Sequence, residues 1–370
     1  QGVYETGTLG FYNLFEGKIS TTGQPFVNPV AGVATPFTLS GDPVTGQGWV
    51  DGQLHAPGDR RIGMASGPFN MAYGDTQEVV VAEILAGGTA GIDRLTALTV
   101  LKDYDVAAQF AYDNFFNLPK APQQPKVTVS GLDNEIILSW GSDPDVVALT
   151  EEYAKLGYEF EGYNVYQLPS KTALPSQAKR VATFDVVNDV KIIIDKAFDP
   201  VAGVPVDQVV ALGSDSGIKR YVDIKTDAFK SNLPFNNGQK YFFAVTSYAY
   251  NPDPPFGTKI LENQMEIIEV IPKSPNPGVR YEAETGSAID VTHSAGPSQG
   301  VAQVKVVDPS LVTGSKYKVT FQEDDHAHVT YTVTNVTTGK VKATGVEQNL
   351  GDASPLVDGV QVMVTGPDPG

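Results

Sequence analysis

Two clusters of closely spaced prolines divide the chain into three segments. The first has prolines at 119, 122 and 125, and the second has prolines at 272, 275 and 277. Prolines at this spacing favour polyproline II, which acts as a semi-rigid spacer between folded parts. We therefore predict domain boundaries near these clusters, with an N-terminal α+β segment at 1–118, a central domain at 119–277 and a C-terminal domain at 278–370. Three domains suit a chain of 370 residues.

The second and third segments are patterned as β-strands. Runs rich in Val, Ile, Thr, Tyr and Phe alternate with turn signals, which is typical of antiparallel sheets. An acidic stretch from Asp143 to Leu156 interrupts the series and is predicted to be helical. The predicted strands are Val127–Ser130, Glu135–Trp140, Phe160–Tyr166, Lys179–Phe184, Lys191–Ile194, Arg220–Ile224, Lys240–Tyr248, Gln264–Ile271, Val301–Val306, Tyr317–Phe321, Val329–Val336, Lys340–Thr344 and Gly359–Thr365.

The first segment predicts one strand and one helix. The strand covers Glu78–Leu85, and the helix follows with Asp93 as its N-cap. Apolar residues then recur every three or four positions, which predicts a helix face packed against a core. That face consists of Leu95, Leu98, Leu101, Tyr104, Ala108, Ala111 and Phe115. Together the three segments predict a mainly β fold of tandem β-sandwiches, preceded by an α+β segment with one amphipathic helix.

Three features of the central segment resemble a fibronectin type III domain. Trp140 ends the second strand, Gly162–Tyr166 forms the third, and Asn237–Thr246 contains the penultimate one. In that family a buried Trp packs against a Tyr on the next strand, which implies a contact between Trp140 and Tyr163. The family also has a tyrosine corner, which the resemblance places at Tyr241. The resemblance covers about 124–272 and includes an insertion around 185–219.

The order of segments also resembles bacterial surface proteins exported by the type IX route. The cues are Ser66–Val81, the helix after it, and a central domain that ends in Tyr248–Pro254. This resemblance implies an extracellular, cell-surface location. Because the chain starts at Gln1 and stops at the linker-like sequence 366–370, we expect it to be part of a longer secreted precursor.

The net charge limits the binding partners of the chain, and its cysteine content limits the chemistry that its side chains can perform. The net charge is −17, and it is spread over all three segments. This acidity argues against nucleic acid and anionic membranes as partners, and no apolar stretch is long enough to insert into a membrane. The absence of cysteine excludes disulfides, thiolate nucleophiles and iron–sulfur clusters.

One histidine cluster carries the pattern of a metal site. On a strand, Asp324, His326 and His328 would share one face, and imidazole with carboxylate can bind Zn²⁺ or Cu²⁺. A polar hairpin rim explains the same pattern without a metal. No other cofactor is predicted, apart from Ca²⁺ in acidic loops. The candidate Ca²⁺ ligands are Asp143, Asp145, Asp215 and Asp253.

Motifs for catalysis are weak. The Gly-x-Ser-x-Gly match at Gly296–Gly300 has a loop before it and a predicted strand after it, whereas a nucleophile elbow needs a strand and then a helix. The two Ser-x-x-Lys matches lack their companion motifs. We therefore predict no catalytic residues and an ordinary loop at Gly296–Gly300.

The sequence favours a structural or interaction protein over an enzyme. A cell-surface stalk, adhesin or filament subunit would contact other copies of itself or neighbouring surface proteins, and terminal strands at 2–14 or 359–366 would complete a neighbour's sheet. The alternative is a carbohydrate-binding accessory region of a secreted hydrolase, with polysaccharide as its ligand. Aromatic residues on both faces of Lys240–Tyr248 fit either a covered sheet or a sugar platform.

Overall fold

The computed structural model folds into a mainly β protein with several sheets and three α-helices among its described residues. The described residues are 4–56, 58–87, 93–199, 204–254, 257–281, 283–297, 299–323 and 328–366. The chain forms two compact units. The N-terminal unit runs to Phe116 and includes Phe198–Val206, and the C-terminal unit contains Asn117–Ala197 and the chain from Asp207 onwards. The mainly β prediction is confirmed, and the division into three domains stays a prediction.

The N-terminal unit has little regular structure. It contains helix α1, a two-stranded sheet of β1 and β2, and helix α2. The predicted cap of α2 is confirmed, because the Asp93 carboxylate accepts hydrogen bonds from the backbone N–H groups of Leu95 and Thr96. The bounds are α1 Tyr4–Phe15, β1 Phe26–Val27, β2 Ala34–Thr35 and α2 Arg94–Asp113.

Three sequence predictions for this unit are wrong. Residues 4–14 lie in helix α1 and not in a strand, and Glu78–Leu85 has no regular structure, since no strand of the described residues pairs with it. The apolar face of α2 is not a core face. Within α2 only Val100 is buried, and Leu95 and Tyr104 are exposed.

The first part of the C-terminal unit, up to Val270, is built on two sheets. One has the order β10-β4-β3. In the other, β13 and β6 lie side by side, β14 and β15 pair with β13, and β5 and β7 pair with β6. The bounds are β3 Thr128–Leu132, β4 Glu135–Ser139, α3 Pro144–Glu151, β5 Ala154–Lys155, β6 Tyr158–Leu168, β7 Lys179–Asp185, β8 Ile192–Asp199, β9 Val204–Leu212, β10 Tyr221–Ile224, β11 Thr226–Asp227, β12 Leu233–Pro234, β13 Tyr241–Tyr250, β14 Ile260–Glu262 and β15 Ile268–Val270.

One apolar core joins these two sheets. Trp140, which follows β4, contacts Tyr163 of β6, and their ring centroids are 5.5 Å apart. The predicted contact of these two rings is therefore confirmed. Near the start of β13, the Tyr241 hydroxyl accepts a hydrogen bond of 2.9 Å from the backbone N–H of Asn236. Side chains of β4, β6 and β13 fill most of the core, and those of β4 and β13 alternate because successive residues of a strand point to opposite faces.

Helix α3 confirms the predicted helical stretch over part of its length. Asp143 caps it, because its carboxylate accepts from the backbone N–H of Val146, and Pro144 occupies the first turn. The strand pair β8 and β9 lies in the insertion that the sequence left without a family pattern. Strand β9 was not predicted.

The last part of the C-terminal unit has two further sheets around a second core. Their orders are β16-β17-β22-β21 and β18-β19-β20. The core is made mainly of valines, with Tyr331 at its centre. The bounds are β16 Ala288–Ile289, β17 Val301–Val306, β18 Tyr317–Glu323, β19 Val329–Asn335, β20 Lys340–Glu347, β21 Leu356–Val357 and β22 Val360–Thr365.

The two parts of the C-terminal unit are packed together. Leu132, Ile137 and Tyr221 from the first part share an apolar cluster with Val307 and Leu356 from the second. A Cβ atom added at Gly141 of the first part would lie 3.5 Å from Cδ1 of Leu356 of the second. Among the described residues, no helix is long and apolar enough to cross a membrane.

Candidate interaction surface

The predicted metal site lies mostly outside the described residues. Asp324 and His326 are not described, and only His328 is. Its Nε2 atom lies 2.6 Å from Oε2 of Glu347, and both side chains are about half exposed. In the described parts of the chain, no group of three or more His, Asp or Glu side chains is placed to hold a metal ion. The Asp324, His326 and His328 site stays a prediction.

Two of the candidate Ca²⁺ ligands bind protein groups. Asp143 caps α3 and lies 2.9 Å from Nζ of Lys126. The Asp215 carboxylate accepts the backbone N–H groups of Asn188 and Asp189, and these hydrogen bonds lower its pKa. Both carboxylates therefore have a local structural role.

Asp145 lies in the first turn of a helix, and Asp253 lies at a bend of the chain. Asp145 is in the first turn of α3, where a negative charge stabilises the helix. The backbone N–H of Asp253 donates to the side-chain oxygen of Asn251. The Ca²⁺ prediction for these loops is untested.

The structure brings together an acidic cluster that the sequence did not indicate. Glu161 on β6 is buried, and both of its carboxylate oxygens accept from Nδ2 of Asn188. Next to it, Asp185 of β7 accepts from the backbone N–H and the hydroxyl of Ser214. Burial, opposed by the Asn188 hydrogen bonds and reinforced by the charges of Asp185 and Asp215, raises the pKa of Glu161 to about 7.

No local pattern could have indicated this cluster. Its acids lie on β6, on β7 and in the loop after β9, so only the fold brings them close together. Because the acids already bind Asn188, Ser214 and backbone groups, the cluster has the contacts of a structural network.

The weak catalytic motif is a loop in its described part. Gly296, Pro297, Gln299 and Gly300 have no helix or strand assignment, and β17 follows directly. Ser298 lies outside the described residues. The flanks are those predicted for an ordinary loop, since no helix follows.

Three of the five aromatic residues of β13 are buried, and they lie on both faces of the strand. Tyr241, Phe243 and Val245 belong to the core between the sheets, and Tyr248 on the opposite face is only 2% exposed. A ring must be exposed to stack on a sugar. Tyr241, Phe243 and Tyr248 therefore form no sugar platform, whereas Phe242 and Tyr250 are half-buried.

More than half of the exposed large apolar side chains of the described residues lie in the N-terminal unit. Among the described residues before 117, the buried apolar side chains are only Trp49 and Val100, whereas the C-terminal unit contains all the core clusters. The exposed apolar residues fall in α1, in 62–85 and in α2 with the residues after it. They include Leu9, Phe11, Tyr12, Leu14, Phe15, Ile62, Met64, Phe69, Met71, Tyr73, Val79, Val80, Val81, Leu85, Leu95, Tyr104, Val106, Tyr112, Phe115 and Phe116.

Local structure places these side chains on the surface. In α1, side chains of Leu9, Phe11 and Phe15 are each more than half exposed. After α2 ends at Asp113, Phe115 and Phe116 have φ values of 52° and 57°, which turns the backbone sharply and leaves both rings exposed. Exposed apolar groups on this scale are typical of an interaction surface.

The sequence contained a partial signal for this surface. Residues 6–15 carry no charged side chain although they include Leu9, Phe11 and Phe15, and no lysine or arginine occurs between Arg61 and Arg94. These features were interpretable only as turns, a strand and a core helix because exposure cannot be read from composition.

A comparison of the chain with models of known families, with curated proteins and with solved structures finds no match.

Proposed function

We propose that the protein is a non-catalytic extracellular structural protein, a cell-surface stalk, adhesin or filament subunit, that assembles through its N-terminal unit. The observation that carries this proposal is the contrast between the two units. The C-terminal unit encloses packed cores, whereas the N-terminal unit leaves most of its described Leu, Phe, Val and Tyr side chains exposed to water. Burial of apolar surface is the main favourable term in protein association, and it contributes about 25 cal/mol per Å² removed from water.

The fold of the C-terminal unit supports a scaffold role. We interpret it as two tandem β-sandwiches, of which the first is of the fibronectin type III class. The packing of Trp140 on Tyr163 and the hydrogen bond from Asn236 to the Tyr241 hydroxyl both fit that class. Such sandwiches commonly serve as spacers and carriers of binding surfaces, although the fold alone does not define a function.

An extracellular location agrees with the chemistry of the chain. The sequence has no cysteine, so its stability does not depend on the redox state of the surroundings. The evenly spread negative charge suits a protein exposed to solvent. The proposed partners are other copies of the chain or neighbouring surface proteins. The alternative, a carbohydrate-binding accessory region, would need a platform of exposed rings, and Tyr241, Phe243 and Tyr248 of β13 are buried.

The oligomeric state of the intact chain tests the proposal. We expect natively purified protein to form dimers or longer assemblies by light scattering and electron microscopy. Replacing Phe11 and Phe15 of α1 by Lys should weaken assembly, because it places charge on the apolar surface. The matched control replaces Leu149 and Leu174, which are equally exposed on the C-terminal unit. A chain that stays monomeric at all concentrations would contradict assembly.

A further inference from the structure

One stretch of the N-terminal unit has the composition of a strand but no strand partner. We call residues 78–85, Glu-Val-Val-Val-Ala-Glu-Ile-Leu, the acidic segment. Val79, Val81 and Leu85 are 57%, 70% and 80% exposed. No backbone group of residues 76–87 forms a hydrogen bond within the described part of the chain. A β-branched, apolar stretch with unpaired backbone groups is ready to add to a sheet.

The last sheet of the C-terminal unit offers an open, regular edge at β18. Among the described residues this strand pairs only with β19, and the register is continuous from Tyr317 opposite Asn335 to Glu323 opposite Val329. On the other edge of the sheet, the pairing of β20 is interrupted by two register shifts. Such irregular edges resist further pairing.

A second long edge, at β7, is partly occupied. The carbonyl oxygen of Thr183 accepts a hydrogen bond from the Ser214 hydroxyl, so an added strand would have to displace this contact. No comparable contact reaches the backbone of Tyr317–Glu323 in the described residues. Strand β18 is therefore better suited than β7 or β20 to accept another strand.

The charges of the two elements are complementary at the start of β18. The acidic segment carries Glu78 and Glu83 and no basic residue. Lys316 directly precedes β18 and Lys318 lies near its start, whereas Glu323 ends the strand, so the favourable charge pairs are confined to the Lys316–Lys318 end. Phe321 of β18 is 45% exposed, so an added strand would also cover apolar surface. Cross-strand pairs of opposite charge and of apolar residues each stabilise a sheet.

We propose that the acidic segment of one chain pairs with β18 of a second copy, extending its three-stranded sheet by one strand. This inference rests on the proposed assembly function and names one contact that contributes to it. The strand that pairs with β18 comes from a second copy of the chain, because each chain carries both the acidic segment and β18. Since the two surfaces differ, each added copy leaves one of each free, and the contact generates a linear polymer or a closed ring.

Cysteine cross-linking tests the contact directly because the chain has no cysteine of its own. Single variants Val79→Cys, Val80→Cys, Val81→Cys and Ala82→Cys are each mixed with Thr320→Cys and oxidised. We expect mixed disulfide dimers whose yield alternates along the segment, because alternate residues of a strand lie on the same face. The matched control is Thr344→Cys on β20, which should give no mixed dimer with any of the four.

A charge exchange provides a second readout. Lys318→Glu should lower the association constant at least tenfold, and Glu83→Lys in the same chain should restore it. Lys340→Glu, at the open edge of β20, should leave association unchanged. Circular dichroism of each variant checks that the fold is retained.

The outcomes separate this inference from the general proposal. If the chain assembles but no mixed dimer forms, the strand contact is overturned and the assembly function stands. If a double variant with cysteines at 81 and 320 cross-links only within one chain, the acidic segment pairs with β18 of its own chain, and the proposed pairing with a second copy is wrong. If the chain remains monomeric throughout, both proposals fail.

Discussion

The guanidinium of Arg220 binds the carboxylate of Glu151 through two hydrogen bonds of 2.7 Å, one from Nε and one from Nη2. Both side chains are more than four-fifths buried. Tyr163 donates its hydroxyl proton to the same carboxylate, and Arg220 also donates from Nη1 to the carbonyl of Ala353. One ion pair therefore joins the end of α3, the first core and the last part of the C-terminal unit.

Removing one partner of this pair should destabilise the protein strongly. Arg220→Met leaves the Glu151 carboxylate buried with Tyr163 as a remaining donor. We expect the free energy of unfolding to fall by about 3 kcal/mol, because an uncompensated buried charge is costly. Urea denaturation followed by tryptophan fluorescence measures the loss.

A double variant and an exposed pair serve as controls for that experiment. Arg220→Met combined with Glu151→Met should recover part of the loss, because no charge is then left unpaired. Lys240→Met removes the exposed pair with Glu269 and should cost less than about 1 kcal/mol. A similar small loss for Arg220→Met would contradict the importance of the pair.

The buried Glu161 should make stability depend on pH. Its pKa rises from 4.5 to about 7 on folding, so the folded state retains a proton that the unfolded state releases. Stability therefore falls as pH rises from about 4.5 to 7, and the full loss, on the order of 3 kcal/mol, is present above pH 7. Glu161→Gln should remove this loss, making the variant more stable than the natural protein at pH 8 and nearly equal at pH 4.

The neighbouring Glu159 gives the control with the same change in charge. It lies on the same strand and is exposed. Glu159→Gln should shift the unfolding free energy by less than about 0.5 kcal/mol at either pH. Unfolding curves at pH 4, 6 and 8 measure both variants, and a pH-independent effect of Glu161→Gln would contradict the raised pKa.

The hydroxyl of Tyr241 should stabilise the turn before β13. Tyr241→Phe removes the acceptor for the backbone N–H of Asn236 while keeping the ring in the core. We expect a loss of about 1–2 kcal/mol, because a part-buried N–H is left without its partner. The control is Tyr104→Phe on the exposed side of α2, where the free energy of unfolding should not change measurably. Equal values for the two variants would exclude a structural role for the Tyr241 hydroxyl.

The sequence predicted the strands best where one face is buried. Val329–Val336 alternates, and Tyr331 and Val333 of β19 are buried as the alternation indicates. The same reasoning failed at Glu78–Leu85, because a strand also needs a partner for its backbone, and no single stretch of sequence reveals that partner. It failed again at α2, where helical spacing predicted the helix correctly but not whether its apolar face meets a core.

The contacts within the C-terminal unit were only partly predictable. The contact of Trp140 with Tyr163 followed from a resemblance that depends on nearby residues in sequence. The pairing of Arg220 with Glu151 joins residues 69 positions apart, and the cluster around Glu161 draws on three separate elements. Long-range polar contacts of this kind carry no periodic signal, so only the fold defines them.

The junction within the C-terminal unit should make its two parts unfold together. Val307 is buried among Leu132, Ile137 and Tyr221, and Leu356 completes the cluster. Calorimetry of the natural chain should show one cooperative transition for the unit, whereas Val307→Asp should separate it into two, because a carboxylate disrupts the shared cluster. Leu356→Ala should lower the midpoint temperature of this transition without dividing it into two. Val336→Asp, at an exposed position, should change neither the midpoint temperature nor the number of transitions. Two transitions in the natural chain would show that the junction does not couple the two parts.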